Sequence, residues 1–216
     1  MPAATLVLIA LGLVFALAFW RLDAGNDDAG ARGSATKTLG TALLALAGAS
    51  ADAPAAITLG LALGALGDFA LSRRGDRWFL LGMGAFAAGH GAYIAHFAPL
   101  ADPGATGALL APVALVMVAL VLVTILWIAP RAGALCLPVR LYALVIAAMA
   151  LSAAALTAHP GRALSQIGVA SFVASDLVLA LRLFVLSDQA RKRFAARLLW
   201  PLYWGGQALI LWGALA

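Results

Sequence analysis

The sequence predicts an all-α protein, a polytopic membrane helix bundle with eight transmembrane helices and both termini outside. Of its 216 residues, 64% are hydrophobic and 11% are charged, whereas soluble domains are roughly half apolar and about a quarter charged. The apolar residues form runs close to the roughly 20 residues that a helix needs to cross the hydrocarbon. The basic residues, in turn, concentrate on one side of these runs, which is typical of membrane proteins.

Eight apolar segments define the predicted spans, and together they form a single transmembrane domain. The first is not interpreted as a signal peptide, because no charged region precedes it and its basic flank, Arg21, follows it. The second begins at Lys37, whose aliphatic stem can extend a short helix to the interface; a re-entrant helix is the alternative. The residues between the first two spans, 22–35, form the longest predicted linker. In chain order the spans cover residues 3–20, 37–51, 54–72, 78–97, 108–129, 138–157, 163–186 and 197–215.

The distribution of arginine and lysine predicts the orientation. Of the fourteen basic residues, all but Arg162 and Arg182 belong to the odd-numbered loops and their flanks. The positive-inside rule places these loops in the cytoplasm, so the net charge of +5 needs no nucleic acid as a partner. The composition, rich in alanine, leucine, glycine and arginine, is typical of GC-rich bacterial genomes. We therefore expect a multi-pass protein of the bacterial inner membrane. Five tryptophans are expected at the membrane interfaces: Trp20, Trp78, Trp127, Trp200 and Trp212.

Two carboxylates lie inside predicted spans. All nine acidic residues are aspartates, and only Asp68 and Asp176 fall away from loops and helix edges. A charged group in a membrane span is costly, and its default interpretation is functional; the alternative is a structural pair or an interhelical hydrogen bond. Asp68 and Asp176 each follow a small residue and precede an arginine by five or six positions. This spacing places both carboxylates about 8–9 Å above the inner arginines. The glycines before Asp68 are expected to let neighbouring helices approach closely.

Further polar residues occur in spans four and eight. His90 and Tyr93 lie on one helical stripe, and Tyr203 and Gln207 are one turn apart. A glutamine such as Gln207 serves equally well as an interhelical hydrogen-bonding group. The three histidines and one cysteine show no metal-binding spacing, and no glycine-rich phosphate or dinucleotide loop occurs. No metal and no cofactor are therefore expected.

Taken in order, these motifs resemble the YhhN-like lysoplasmalogenase family over nearly the whole chain. The segments "GALGDFAL", "GAFAAGHGAYIAHF", "FVASDLVLALRLF" and "YWGGQALI" carry the resemblance. One departure is "TKT", where family members often have Lys-Pro. The positions that match the family pattern are Lys37, Gly67, Asp68, His90, Tyr93, Ser175, Asp176, Tyr203 and Gln207.

The resemblance implies a hydrolase that cleaves the vinyl ether of lysoplasmalogens to a fatty aldehyde and a glycerophospho-headgroup. Such a reaction requires one protonated carboxyl and one carboxylate, as in glycosidases, and Asp68 and Asp176 are the predicted catalytic pair, with the two roles left open. The expected partners are a lysophospholipid substrate and membrane lipid. The expected substrate-binding residues are Lys37, Arg73, His90, Tyr93, Ser175, Tyr203 and Gln207.

Two other functions fit the same residues. A small proton- or cation-coupled transporter would use Asp68 and Asp176 as a relay. A helical scaffold or lipid-binding protein would perform no chemistry, and asparagine would then replace both aspartates without effect.

Overall fold

A computed structural model describes residues 1–26, 30–101 and 109–216, and this part of the chain is helical throughout, with no strand. The α-helices follow the predicted spans closely. In chain order they are α1 (Ala3–Leu22), α2 (Gly30–Ser50), α3 (Ala55–Leu71), α4 (Asp76–Phe97), α5 (Leu110–Val123), α6 (Cys136–Ala154), α7 (Arg162–Phe184) and α8 (Gln189–Ala214). Part of the predicted linker, residues 27–29, and the predicted start of span five at residue 108 lie outside the described residues.

Helix boundaries differ from the prediction where polar residues continue a helix beyond its apolar run. Helix α2 begins at Gly30, seven residues before Lys37. Helix α8 begins eight residues before the predicted span, because the side chain of Asp188 accepts a hydrogen bond from the backbone N–H of Arg191, at 2.8 Å, and caps the first turn. Between α5 and α6 the chain passes through a π-helical turn and a 3₁₀ segment, which Gly133 interrupts with a φ of 58°.

Most helices pack against their neighbours in the sequence, whereas α4 packs on α3 and α6, and α8 closes the bundle. The most extensive contacts join α7 to α8, α3 to α4, α1 to α2 and α2 to α3. Helix α8 also contacts α1, α2 and α3, which brings the end of the chain against the helix that carries Asp68. Helix α5 lies at the periphery and packs mainly on α6, with Met117 as its one buried side chain.

In the described part of the chain, four helical runs are long and apolar enough to cross a membrane: Ala3–Leu22, Asp76–Leu100, Leu110–Ala154 and Arg162–Phe184. Helix α3 is apolar but shorter, with 17 residues. Helices α2 and α8 are long enough, with 21 and 26 residues, but they carry more polar and charged side chains. The described chain is therefore a helical bundle with the character of a membrane protein, and the count of eight crossings stays a prediction.

One tryptophan contradicts its predicted interfacial position. Trp200 is 2% exposed, and its indole N–H donates to the carbonyl oxygen of Ala16 on α1 at 2.8 Å. Trp204 makes the equivalent bond to Gly40 on α2 at 2.9 Å. Both indoles thus fasten α8 to the first two helices, because a buried N–H donor needs an acceptor.

Candidate active site

Asp68 lies at the centre of the first of two polar clusters, formed by Lys37, Thr41, Asp68, Tyr203 and Gln207 and called here the lysine–aspartate cluster. Oδ2 of Asp68 accepts hydrogen bonds from the hydroxyls of Thr41, at 2.7 Å, and Tyr203, at 2.9 Å. Oδ1 lies 3.3 Å from Nζ of Lys37. The Asp68 side chain is 1% exposed. The ammonium of Lys37 and the two hydroxyls stabilise the ionised form of this carboxyl group, whereas its burial opposes ionisation.

Three helices meet at this cluster because of their small residues. Lys37 and Thr41 are one turn apart on α2 and therefore share a face. On α3, a Cβ at Gly64 would lie 2.6 Å from Nε2 of Gln207 and 3.2 Å from the Tyr203 hydroxyl, so only glycine leaves room for these α8 side chains. This agrees with the expectation that the glycines before Asp68 permit close approach.

Tyr93 extends the lysine–aspartate cluster towards α4. Its hydroxyl donates to Oε1 of Gln207, and the amide of Gln207 donates to the Tyr203 hydroxyl at 3.5 Å. A Cβ at Gly60 would overlap the Tyr93 ring, so a second glycine of α3 accommodates this side chain. The predicted residues Lys37, Asp68, Tyr93, Tyr203 and Gln207 are thus brought together in one connected network.

Asp176 belongs to the second cluster, formed by His90, Tyr142 and Asp176 on α4, α6 and α7 and called here the histidine–aspartate cluster. Nε2 of His90 lies 3.1 Å from the Tyr142 hydroxyl and 3.2 Å from Oδ2 of Asp176. The Tyr142 hydroxyl donates to the same Oδ2 at 3.2 Å. The side chains of His90 and Asp176 are 1% and 9% exposed.

Two phenylalanines lie between the clusters. The Phe172 ring contacts the ring of His90 on one side, at 4.7 Å between centroids, and that of Tyr203 on the other, at 5.2 Å. Phe86 packs edge-to-face on both Phe172 and Tyr203. Among the described residues, Asp68 and Asp176 share no hydrogen-bonding or ion-pair partner, so the two carboxylates occupy neighbouring but distinct environments.

Two cavities adjoin these clusters. The apolar cavity, of about 70 Å³, lies between α4, α6 and α7 and includes Tyr142 and Asp176 in its wall. The basic cavity, of about 180 Å³, is lined by Lys37, Arg73, Arg74 and Arg182. Both cavities also have two leucines, Leu71 and Leu179, in their walls, so these side chains lie between the two cavities.

Two predicted binding residues, Arg73 and Ser175, belong to neither cluster. Arg73 is exposed at the basic cavity, and its guanidinium lies over the ring of Phe69, 4.4 Å from its centroid. The Ser175 hydroxyl is buried and donates to the carbonyl of Phe172 in its own helix at 2.7 Å. Its contact is therefore with the backbone of α7 and not with either cluster.

The sequence analysis missed Thr41 and Tyr142. Thr41 was detectable in principle, since it follows Lys37 by one helical turn. Tyr142 is one of three tyrosines in the chain, and all three belong to these networks. No group of three or more metal-ligating side chains that would hold an ion occurs in the described residues.

Comparison with protein families gives one decisive result. The model of the YhhN family matches residues 33–214, which include every residue of both clusters. The chain belongs to the YhhN family. Comparison with curated proteins and with solved structures gives no match. As a member of the YhhN family, the protein carries Asp68 on α3 and Asp176 on α7 within the matched region.

Proposed function

We propose that this YhhN family member is a membrane hydrolase that cleaves the vinyl ether bond of lysoplasmalogens. The observation that carries the proposal is that a basic cavity at Lys37 and an apolar cavity at Asp176 lie side by side, with Leu71 and Leu179 in the walls of both. A lysophospholipid has an anionic phosphate in its headgroup and a single hydrocarbon chain, and these parts match the two cavities. Its ether bond would then lie near Leu71 and Leu179, between the two carboxylates.

The hydrocarbon chain has a continuous apolar path. The apolar cavity shares Leu120, Val173 and Leu177 with a groove along α5, α6 and α7. This groove follows α7 from Ala163 to Leu177, a length of about 20 Å at the helical rise. Half of the hydrocarbon core is about 15 Å, so the groove is long enough for one lipid tail.

The chemistry requires acid catalysis. Vinyl ethers hydrolyse by protonation at carbon, and water captures the resulting oxocarbenium ion as a hemiacetal that releases the aldehyde. Glycosidases divide a similar reaction between two carboxyl groups, and general acid–base catalysis typically contributes 10²–10⁴-fold. Asp68 and Asp176 are the proposed carboxyl groups, and Lys37 and Arg73 are proposed to bind the phosphate.

The test is aldehyde release by purified protein in detergent micelles. We expect a fatty aldehyde from a lysolipid with a vinyl ether chain, and none from the matched lysolipid with a saturated ether, because the latter has no carbon that accepts a proton. Asp68→Asn and Asp176→Asn should each reduce the release strongly. Wild-type release equal to that of the buffer would refute the proposal.

We further propose the topology that such an enzyme would use, with eight crossings, odd loops in the cytoplasm and an inner-membrane location in bacteria. The concentration of basic residues in the odd loops supports it. Single cysteines at Ser72 and at His159 in a Cys136→Ala background should react with an impermeant maleimide from opposite sides of the membrane. Labelling of both from the same side would contradict the topology.

The second candidate is a proton-coupled transporter, which one observation favours. Tyr93, Gln207, Tyr203, Asp68 and Lys37 form a connected polar chain from the bundle interior to the basic cavity. Proton-driven solute uptake by proteoliposomes, with no product from any lysolipid, would favour this function over hydrolysis.

A further inference from the structure

The histidine–aspartate cluster has a geometry that the lysine–aspartate cluster lacks. Its three polar atoms form a triangle with sides of 3.1, 3.2 and 3.2 Å, with the Tyr142 hydroxyl oxygen at similar distances from Nε2 of His90 and Oδ2 of Asp176. A phenol has one hydrogen to donate and lone pairs to accept. By rotating about its C–O bond, the Tyr142 hydroxyl can donate either to the imidazole or to the carboxylate.

This rotation allows the cluster to accommodate two protonation states of Asp176. When the carboxyl is protonated, it donates to the Tyr142 oxygen, and the Tyr142 hydroxyl donates to Nε2 of His90. When the carboxylate is ionised, the Tyr142 hydroxyl donates to Oδ2 instead, and the neutral imidazole carries its proton on Nε2, which donates to the same Oδ2. Neither state leaves the phenol without a partner, and an unmade buried hydrogen bond is the costly alternative.

Asp68 differs from Asp176 in having a cationic partner. Nζ of Lys37 lies 3.3 Å from its Oδ1, and the hydroxyls of Thr41 and Tyr203 donate to its Oδ2. The hydrogen bonds that run from Tyr93 through Gln207 and Tyr203 also all donate in the direction of Asp68. Hydrogen bonds aligned in this manner polarise one another, and together with Lys37 they stabilise a negative charge on Asp68.

We propose, resting on the proposed hydrolysis, that Asp176 is the carboxyl group that transfers the proton and that Tyr142 and His90 position it. Asp68 is the carboxylate that stays ionised throughout the reaction. The position of the cavities supports this division. Asp176 and Tyr142 lie in the wall of the apolar cavity, where the vinyl group of the substrate is placed. Asp68 is buried behind Lys37, which lines the basic cavity.

The proposed steps balance in atoms and charge. The Asp176 proton adds to the vinyl carbon distal to the ether oxygen, using the π electrons, and leaves a carboxylate and an oxocarbenium ion. Water then adds to the cationic carbon and returns one proton to Asp176. The hemiacetal breaks its bond to the glyceryl oxygen as its hydroxyl proton passes to that oxygen. One water is consumed, and Asp176 ends protonated as it began.

The first experiment replaces the Tyr142 hydroxyl alone. Tyr142→Phe should lower kcat for aldehyde release at least tenfold and leave KM within about twofold, since the phenol binds the catalytic carboxyl and not the substrate. Ser152→Ala is the matched control, because it removes a hydroxyl from the same helix that donates only to the carbonyl of Met149. His90→Gln tests the same pair should Tyr142→Phe fail to elute as a folded protein in size-exclusion chromatography.

The second experiment separates the two aspartates by chemical rescue. Formate added to Asp176→Ala should restore aldehyde release, because a small carboxylic acid can reach the apolar cavity and replace the missing proton donor. Formate should not restore Asp68→Ala, whose partners bind a fixed anion deep in the bundle. Rescue of Asp68→Ala alone, or an unchanged kcat in Tyr142→Phe, would overturn the assignment and leave the hydrolase intact. An inactive wild type would instead refute the proposed function itself.

Discussion

Replacing Lys37 and Asp68 singly and together measures how strongly their ion pair stabilises the helix bundle. The Nζ–Oδ1 distance is 3.3 Å, and the side chains are 19% and 1% exposed. At an effective dielectric constant of about 20, Coulomb's law gives an attraction of about 5 kcal/mol at this distance. Breaking a buried pair by removing one partner typically costs about 3–5 kcal/mol, because the other charge stays buried. We therefore expect Asp68→Asn and Lys37→Met each to lower the free energy of unfolding by a few kcal/mol.

The double variant shows whether the stability losses of Asp68→Asn and Lys37→Met both come from the broken ion pair. In mixed micelles titrated with a denaturing detergent and followed by tryptophan fluorescence, the double variant should be clearly more stable than the sum of the single losses predicts. The control pair is Arg32 with Asp23, where the distance is shorter, at 2.6 Å, but the arginine side chain is 65% exposed. Solvent screening should make its coupling smaller. Additive losses at Lys37 and Asp68 would refute the ion pair.

Two further predictions concern how α8 is held in the bundle. Gly161→Ala should destabilise the protein strongly or prevent its accumulation, because the new Cβ would overlap the backbone of Gly213. Its control is Gly84→Ala, where the new Cβ would have no neighbouring atom within 4 Å, and the melting temperature should stay unchanged or rise slightly. Trp200→Phe should cost about 0.5–1.5 kcal/mol through the lost hydrogen bond between α8 and α1, and more where the smaller ring leaves a gap. Trp212→Phe, at a side chain that is 50% exposed, should cost less in the same denaturation assay. Equal effects within either pair would contradict the packing described here.

Helix positions were largely predictable, and the exceptions have local causes. The apolar run of span eight begins near Arg197, yet α8 begins at Gln189 because Asp188 caps a turn of polar residues. Hydropathy detects the part of a helix that contacts lipid or core, and it does not detect a polar extension. Trp200 was misplaced for a related reason: an indole suits both a membrane interface and a buried site with an acceptor, and the sequence does not contain the position of Ala16.

Only those site residues were predictable whose polar side chains are costly to bury in an apolar span. Asp68, Asp176, His90 and Gln207 stood out because a polar group in an apolar span requires a partner. Tyr142 and Thr41 did not, because tyrosine and threonine are tolerated in spans without one. Ser175 was singled out by its position beside Asp176, but its hydroxyl donates within its own helix.

By itself, the sequence determined the helical membrane class, the approximate helix positions and the two aspartates that any mechanism must explain. These follow from composition and from spacing along single helices, where side chains three or four residues apart share a face. Only the tertiary structure decided that Asp68 pairs with Lys37 and Tyr203, whereas Asp176 pairs with His90 and Tyr142. Partners on different helices are chosen by packing, and here the glycines of α3 and the ring of Phe172 determine which side chains meet.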